Sequence, residues 1–233
     1  MIRWFIVIVL FSCTIKDKKQ EAVAGAQQSA YAPAYNMIKE AESIIKNGDL
    51  VLRSGQEFTS QFIRQISKKD QTYSHSGIVF IENGQPFIYH ILSGDENPSG
   101  RLKRDSLKSF SNPRKNFGFA IYRYDLDSSE MDLFRQRIFN WYRQGLKFDS
   151  LFNLRTDDKM YCSEMIMKGL ERATKNRIRI ETTRPTKKQA EIFTNYLHLP
   201  AAYANKLDVI TIDNLFVNPY CRLVKRFDFN PQQ

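Results

Sequence analysis

Two apolar runs, Ser76 to Ile81 and Pro86 to Leu92, flank the tetrapeptide Glu82-Asn83-Gly84-Gln85, and this arrangement constrains the fold more than any other stretch of the chain. Asn-Gly accepts the left-handed backbone of a two-residue turn, so the runs are expected to pair as an antiparallel hairpin. With Glu82 facing Gln85, Gly77 faces His90 and His75 would face Leu92. Side chains alternate between the two faces of a strand, which puts His75 and His90 on one face as diagonal neighbours, their Cβ atoms somewhat under about 7–8 Å apart. Val79, Ile81, Ile88 and Leu92 share that face, while Ile78, Phe80, Phe87, Tyr89 and Ile91 occupy the other. A hairpin apolar on both faces is buried on both sides.

Around this hairpin the chain mixes helical and strand patterns and shows no internal repeat. Met37, Ile38, Ala41, Ile44 and Ile45 recur at helical spacing up to Asn47-Gly48, a left-handed stop. Asp49 to Arg53 reads as a strand, and Phe58, Phe62, Ile63 and Ile66 as the apolar face of a second helix. Gly118 to Tyr124 is another strand. Asp127-x-x-Glu130 then opens a helix whose Met131, Phe134, Ile138 and Trp141 share a face until Gly145. Cys162 to about Lys175 reads as a helix, and Val209 to Ile212 and Tyr220 to Phe227 as strands. With 233 residues, 42% apolar and 13% aromatic, there is material for one packed core.

The N-terminus is not part of that core. Met1-Ile2-Arg3 followed by the apolar run Trp4 to Phe11 has the pattern of a signal peptide (residues 1–12), too short to span a bilayer. Leu10-Phe11-Ser12-Cys13 resembles a lipobox, in which the cysteine is acylated and begins the mature chain. Residues 13–34 then read as the lipidated Cys13 and a polar tether, with the folded domain over 35–233. The expectation is an exported, membrane-anchored lipoprotein of the bacterial cell envelope. The charge of +10, from 35 basic and 25 acidic residues, is scattered. It suits a nearby anionic surface, membrane or wall polymer, and shows no basic stripe or reading module of a nucleic-acid binder.

Of three cysteines, Cys162 and Cys221 remain once Cys13 carries lipid. A disulfide between them would cap any nucleophile, so both are read as free. Cys221, inside a strand-like run, suits space-filling. Cys162 starts a helix, where unpaired N–H groups and the macrodipole favour a thiolate, lower its pKa, and can donate to an oxyanion. His75 and His90 are the clustered titratable groups that could serve it. Glu164, in the first helical turn, reads as structural support. Tyr73 and Tyr161 flank the proposed centre and are candidate pocket or oxyanion residues, with packing in the core the equally open alternative. Asp149 has no assigned role, and His198 reads as structural or exposed.

Together these residues resemble the permuted papain-like amidases related to NlpC peptidases, the YaeF/YiiX family. Four pieces from about Gly48 to Phe227 carry the resemblance: Gly48-Asp49-Leu50-Val51-Leu52, Tyr73-Ser74-His75-Ser76-Gly77-Ile78-Val79, the strand ending near His90, and Tyr161-Cys162-Ser163-Glu164-Met165-Ile166. The order, histidine first and cysteine last, is the permuted one. The resemblance implies a papain-like (NlpC-type) α+β fold, an antiparallel sheet or partial barrel packed against the helix that bears the cysteine. It further implies Cys162 as nucleophile, His75 as general base and His90 as the group orienting it. Many relatives carry Glu at that third position; a histidine resembles the lecithin-retinol acyltransferase-like branch and leaves the substrate open.

The activity this implies is hydrolysis through an acyl-enzyme, first of cell-wall peptide amides, with lipid amides or esters, or transfer to another acceptor, as the alternative. No cofactor is expected. A His₂Cys zinc site is the rival reading, although the spacing lacks a short metal motif, so the expectation is no metal. A non-catalytic envelope lipoprotein that binds peptide or lipid is the other rival.

Overall fold

The computed structural model describes residues 30–229. The leader, Cys13 and most of the expected tether lie outside the described residues.

The expected hairpin forms in the register read, although its ladder ends at Ile78 and Tyr89, short of the expected His75–Leu92 pair, and Ile81 is exposed where burial was expected. Strand β2 (His75–Glu82) pairs with β3 (Gln85–His90), with Glu82 opposite Gln85, Val79 opposite Ile88 and Ile78 opposite Tyr89. Asn83 and Gly84 both take positive φ, 50° and 76°, as a type I′ turn requires. Four more strands extend the pair into an antiparallel sheet: β1 (Leu50–Gly55), β4 (Lys103–Ser106), β5 (Asn116–Tyr124) and β8 (Cys221–Asp228), in the order β4-β3-β2-β1-β5-β8. Lys147–Phe148 and Lys159–Met160 form a separate short parallel pair, β6 and β7.

Each sheet face is covered. On one, Val51, Val79, Ile88, Phe119, Ile121 and Phe227 meet α1 (Ala32–Ile44) through Ile38 and Ala41, and α3 (Leu107–Phe110) through Leu107 and Phe110. On the other, Leu50, Leu52, Ile78, Phe80 and Tyr89 share a larger core with Phe134 and Ile138 of α4 (Ser128–Gln144) and Met165, Ile166 and Leu170 of α5 (Cys162–Ala173). Helix α2 (Phe58–Ile66) and three C-terminal helices, α6 (Lys187–Asn195), α7 (Ala201–Ala204) and α8 (Ile212–Phe216), complete the described residues. The domain is therefore α+β, as expected. None of the helices among the described residues is long and apolar enough to cross a membrane.

Local chemistry explains the element ends. Helix α4 starts at a capping box, Asp127 accepting from Glu130 N–H at 2.8 Å and Glu130 from Asp127 N–H at 3.1 Å, and stops at Gly145 with φ 67°. At the entry to β1, Asp49 is fully buried and accepts two hydrogen bonds from Arg123, at 2.6 and 2.7 Å.

Three boundaries differ from the sequence reading. Helix α1 begins at Ala32, within the expected tether, because Pro33 in its first turn has no N–H to satisfy. It ends at Ile44, and Gly48 (φ 77°) instead turns the chain into β1, where a Cβ would fall 2.3 Å from Met131 Cε. Val209 to Ile212 is not a strand: Val209 makes one bridge, to Thr183, and Ile212 already starts α8.

Candidate active site

Cys162 is the first residue of α5, where Tyr161 turns from extended backbone (φ −95°, ψ 172°) into the helix. The Tyr161 N–H donates to the Glu164 carboxylate at 3.2 Å, so Glu164 gives the helix start the structural support expected of it. Glu164 is fully buried and pairs with Lys168 at 2.8 Å. Burial pushes its carboxyl up to about 7 against the opposing pull of Lys168.

Both neighbours of Cys162 are tied to one residue. The Tyr161 hydroxyl accepts from Ile210 N–H at 2.8 Å, and the Ser163 hydroxyl donates to Ile210 C=O at 2.7 Å. The helix start is thereby clamped to the 209–212 segment. Asp149 accepts from Leu151 N–H at 2.9 Å and Asn153 N–H at 2.6 Å, shaping a loop that lays Phe152 (φ 55°) on Tyr161 and Phe193.

On β2, His75 Nε2 lies 2.8 Å from His90 Nδ1, and His90 Nε2 lies 3.0 Å from Asp105 Oδ2. A carboxylate only accepts, so His90 carries its proton on Nε2 and presents a lone pair at Nδ1. His75 then carries its proton on Nε2, and its Nδ1 is the free base nitrogen. Gly77 makes the diagonal approach possible, since a Cβ there would fall 2.4 Å from Ile88 Cγ2 and 3.1 Å from His90 Cβ. Phe110 of α3 packs against both rings, 5.6 Å from His75 and 4.9 Å from His90, centroid to centroid.

Electrostatics keep this pair neutral at rest. Burial holds the His75 imidazole well below its ordinary value, and the nearby Arg53 guanidinium adds to that. Burial also lowers His90, while Asp105 pulls it back up. Asp105 itself is held down to about 2 because His90 and Lys103 (2.9 Å) outweigh its partial burial. The Cys162 thiol departs from expectation. Desolvation pushes it up, contacts from Ser76 and Ser163 offset this only in part, and the depression expected of a helix start is absent. No hydrogen bond joins Cys162 to His75 among the described residues.

Cys162 and His75 both line a cleft of about 930 Å³. Ile63, Ile66, Phe152, Phe193, Ile210 and Ile212 supply apolar wall; Arg53, Glu96 and Lys115 lie on the polar side. Tyr161 also lines it, although its hydroxyl is engaged with Ile210. His198 lies at the same cleft in a left-handed conformation (φ 56°), exposed. Tyr73 is not among the lining residues: its ring is buried edge-on against Tyr122 and Phe216 in the core. Cys221 is free, like Cys162, and burial pushes its thiol up to about 12.

Asp105, Arg53 and Phe110 are site residues that the sequence reading did not name. Asp105 sits opposite Ile88, diagonal to His90, which repeats the geometry that joins His90 to His75. Among the described residues no group of three His, Cys, Asp or Glu side chains converges on a metal position. Both ring nitrogens of His90 are engaged, one with His75 and one with Asp105.

No protein-family model and no curated protein matches the chain by sequence. Among solved structures it is similar to the metalloprotein YiiX from Escherichia coli O157:H7, with a TM-score of 0.61 and 20% identity, over 78% of this chain and 97% of that one. The chain shares the YiiX fold. YiiX is a structural neighbour in keeping with the family that the sequence resemblance implied.

Proposed function

We propose that this chain is a permuted papain-like cysteine hydrolase that cleaves an amide or ester through an acyl-enzyme on Cys162. The observation that carries this reading is the hydrogen-bonded chain Asp105–His90–His75, which opens onto the cleft that also holds Cys162 at a helix start. A buried relay of this kind fixes which nitrogen of His75 takes a proton.

In the proposed reaction the thiol proton passes to His75 Nδ1 as the sulfur attacks the substrate carbonyl carbon. The resulting oxyanion is stabilised by the Cys162 N–H at the start of α5. His75 returns the proton to the departing amine or alcohol, leaving a thioester. Water then gives a proton to His75, attacks the thioester, and releases the acid and the thiol. His90 and Asp105 hold the imidazolium through a hydrogen bond and, one residue removed, a negative charge.

Wall-peptide amides are the first substrate class, in keeping with an envelope lipoprotein anchored through Cys13. A second reading, a lipid amide or ester, is favoured by the apolar wall of Ile63, Ile66, Phe193 and Ile212. Wild type and Cys162→Ala should be incubated with wall fragments and with lipid extracts, and the protein mass followed. A trapped acyl adduct on wild type alone is the expected outcome, and its parent extract names the class. Identical product profiles for the two proteins would overturn the nucleophile assignment.

A further inference from the structure

Arg53 is 5% exposed and occupies the register position on β1 directly opposite His75. Its Nη2 pairs with Glu96 at 2.8 Å, its Nη1 reaches Asn116 Oδ1 only at 3.5 Å, and its Nε has no hydrogen-bond partner. A buried guanidinium with an unused donor is costly unless something else completes it. Glu96 does so only partly, because Lys115 also claims it, at 3.0 Å. Two cations thus share one carboxylate, and the group retains one positive charge beside the proposed base. All three residues line the cleft.

We propose that the cleft recognises an acyl substrate bearing an anionic group, carboxylate or phosphate, near its scissile carbonyl, and that Arg53 with Lys115 holds that anion where Glu96 now sits. This rests on the hydrolase reading and deepens it. Arg53 presents the planar fork that binds such anions in bidentate fashion, and Glu96, on the 91–100 connection, is the internal anion that the substrate displaces. Arg53 disfavours a positive charge on His75, and the bound anion takes over from Glu96 in offsetting that effect when His75 takes the thiol proton.

The test compares two activated esters of equal chain length, 4-nitrophenyl hexanoate and the mono-4-nitrophenyl ester of adipic acid, on the full chain. Nitrophenolate release and the mass of acylated Cys162 are both followed. Wild type is expected to favour the anionic ester by about tenfold or more in kcat/KM, the scale of one charge-assisted contact. Arg53→Met should bring that ratio towards one, and Glu96→Gln, which removes the internal competitor, should raise it. Should Arg53→Met fail to fold, Glu96→Gln carries the comparison. Of added inorganic phosphate and acetate, the stronger inhibitor identifies the anion. A wild-type ratio near one with Cys162 acylated by both esters overturns the anion subsite alone. Absence of acylation by either ester overturns the nucleophile reading beneath it.

Discussion

Asp105 reaches His75 only through His90: the carboxylate is 3.0 Å from His90 Nε2, and His90 Nδ1 is 2.8 Å from His75 Nε2. Two tautomers are therefore set by one carboxylate that is not among the residues lining the cleft. The negative charge that a carboxylate in the third position would provide directly is present here one residue further out, on the neighbouring strand.

Asp105→Asn keeps a similar shape and loses the charge. Without it the imidazolium on His75 is less stable, and turnover of an activated ester is expected to fall on the order of 10²-fold, within the range of positioned acid–base groups. The sign of the pH effect follows from the same charge. Asp105 raises the proton affinity of His90, and through it that of His75, so its loss moves the acid limb of the kcat/KM profile to lower pH. A merely structural role would scale the whole profile without moving that limb.

Cys162 alkylation tests the resting state of the pair. Desolvation raises the thiol and burial lowers His75, so the neutral thiol and neutral imidazole dominate near pH 7. The iodoacetamide rate at Cys162 should keep rising with pH beyond the ordinary thiol range, without the flat region between about pH 5 and 8 that a preformed thiolate–imidazolium pair gives. Mass mapping of the modified cysteine separates it from Cys221, whose thiol is pushed up to about 12. A plateau reached below pH 7 would show that the ion pair is already formed in the free protein.

What could be read from the sequence depended on local rules. Asn83-Gly84 fixes a turn, the turn fixes the register, and the register alone puts His75 beside His90. The start of α4 was legible for a similar reason, since Asp127 and Glu130 satisfy each other within four residues. Asp105 was not legible. It lies in Lys103–Ser106, an edge strand of four polar residues with no apolar alternation to mark it. Arg53 reads in sequence as the end of a strand. Its ion-pair partner Glu96 lies 43 positions away on an irregular connection, and no periodicity links the two. For Tyr73 the sequence left pocket and core both open, since nearness to His75 does not fix a ring's direction, and the approach to β2 turns that ring into the core against Tyr122 and Phe216. The thiol pKa was misread because helix position is visible in sequence, whereas desolvation depends on what covers the sulfur.

Gly77→Ala tests whether the histidine pair depends on the bare backbone between its members. The added methyl would sit 2.4 Å from Ile88 Cγ2, and Ile88 is fully buried and β-branched, with little freedom to yield. Relieving that overlap means moving β3 away from β2, which carries His90 out of hydrogen-bond range of His75. The stability cost is expected to be about 1–3 kcal/mol, typical of an overpacked site, and is measured by denaturant unfolding. Ester turnover should fall by more than the folded fraction does, because His75 then loses the partner that fixes its tautomer. A variant that loses stability while each folded molecule keeps wild-type turnover would show that the 2.8 Å contact between His75 and His90 is not needed for the chemistry.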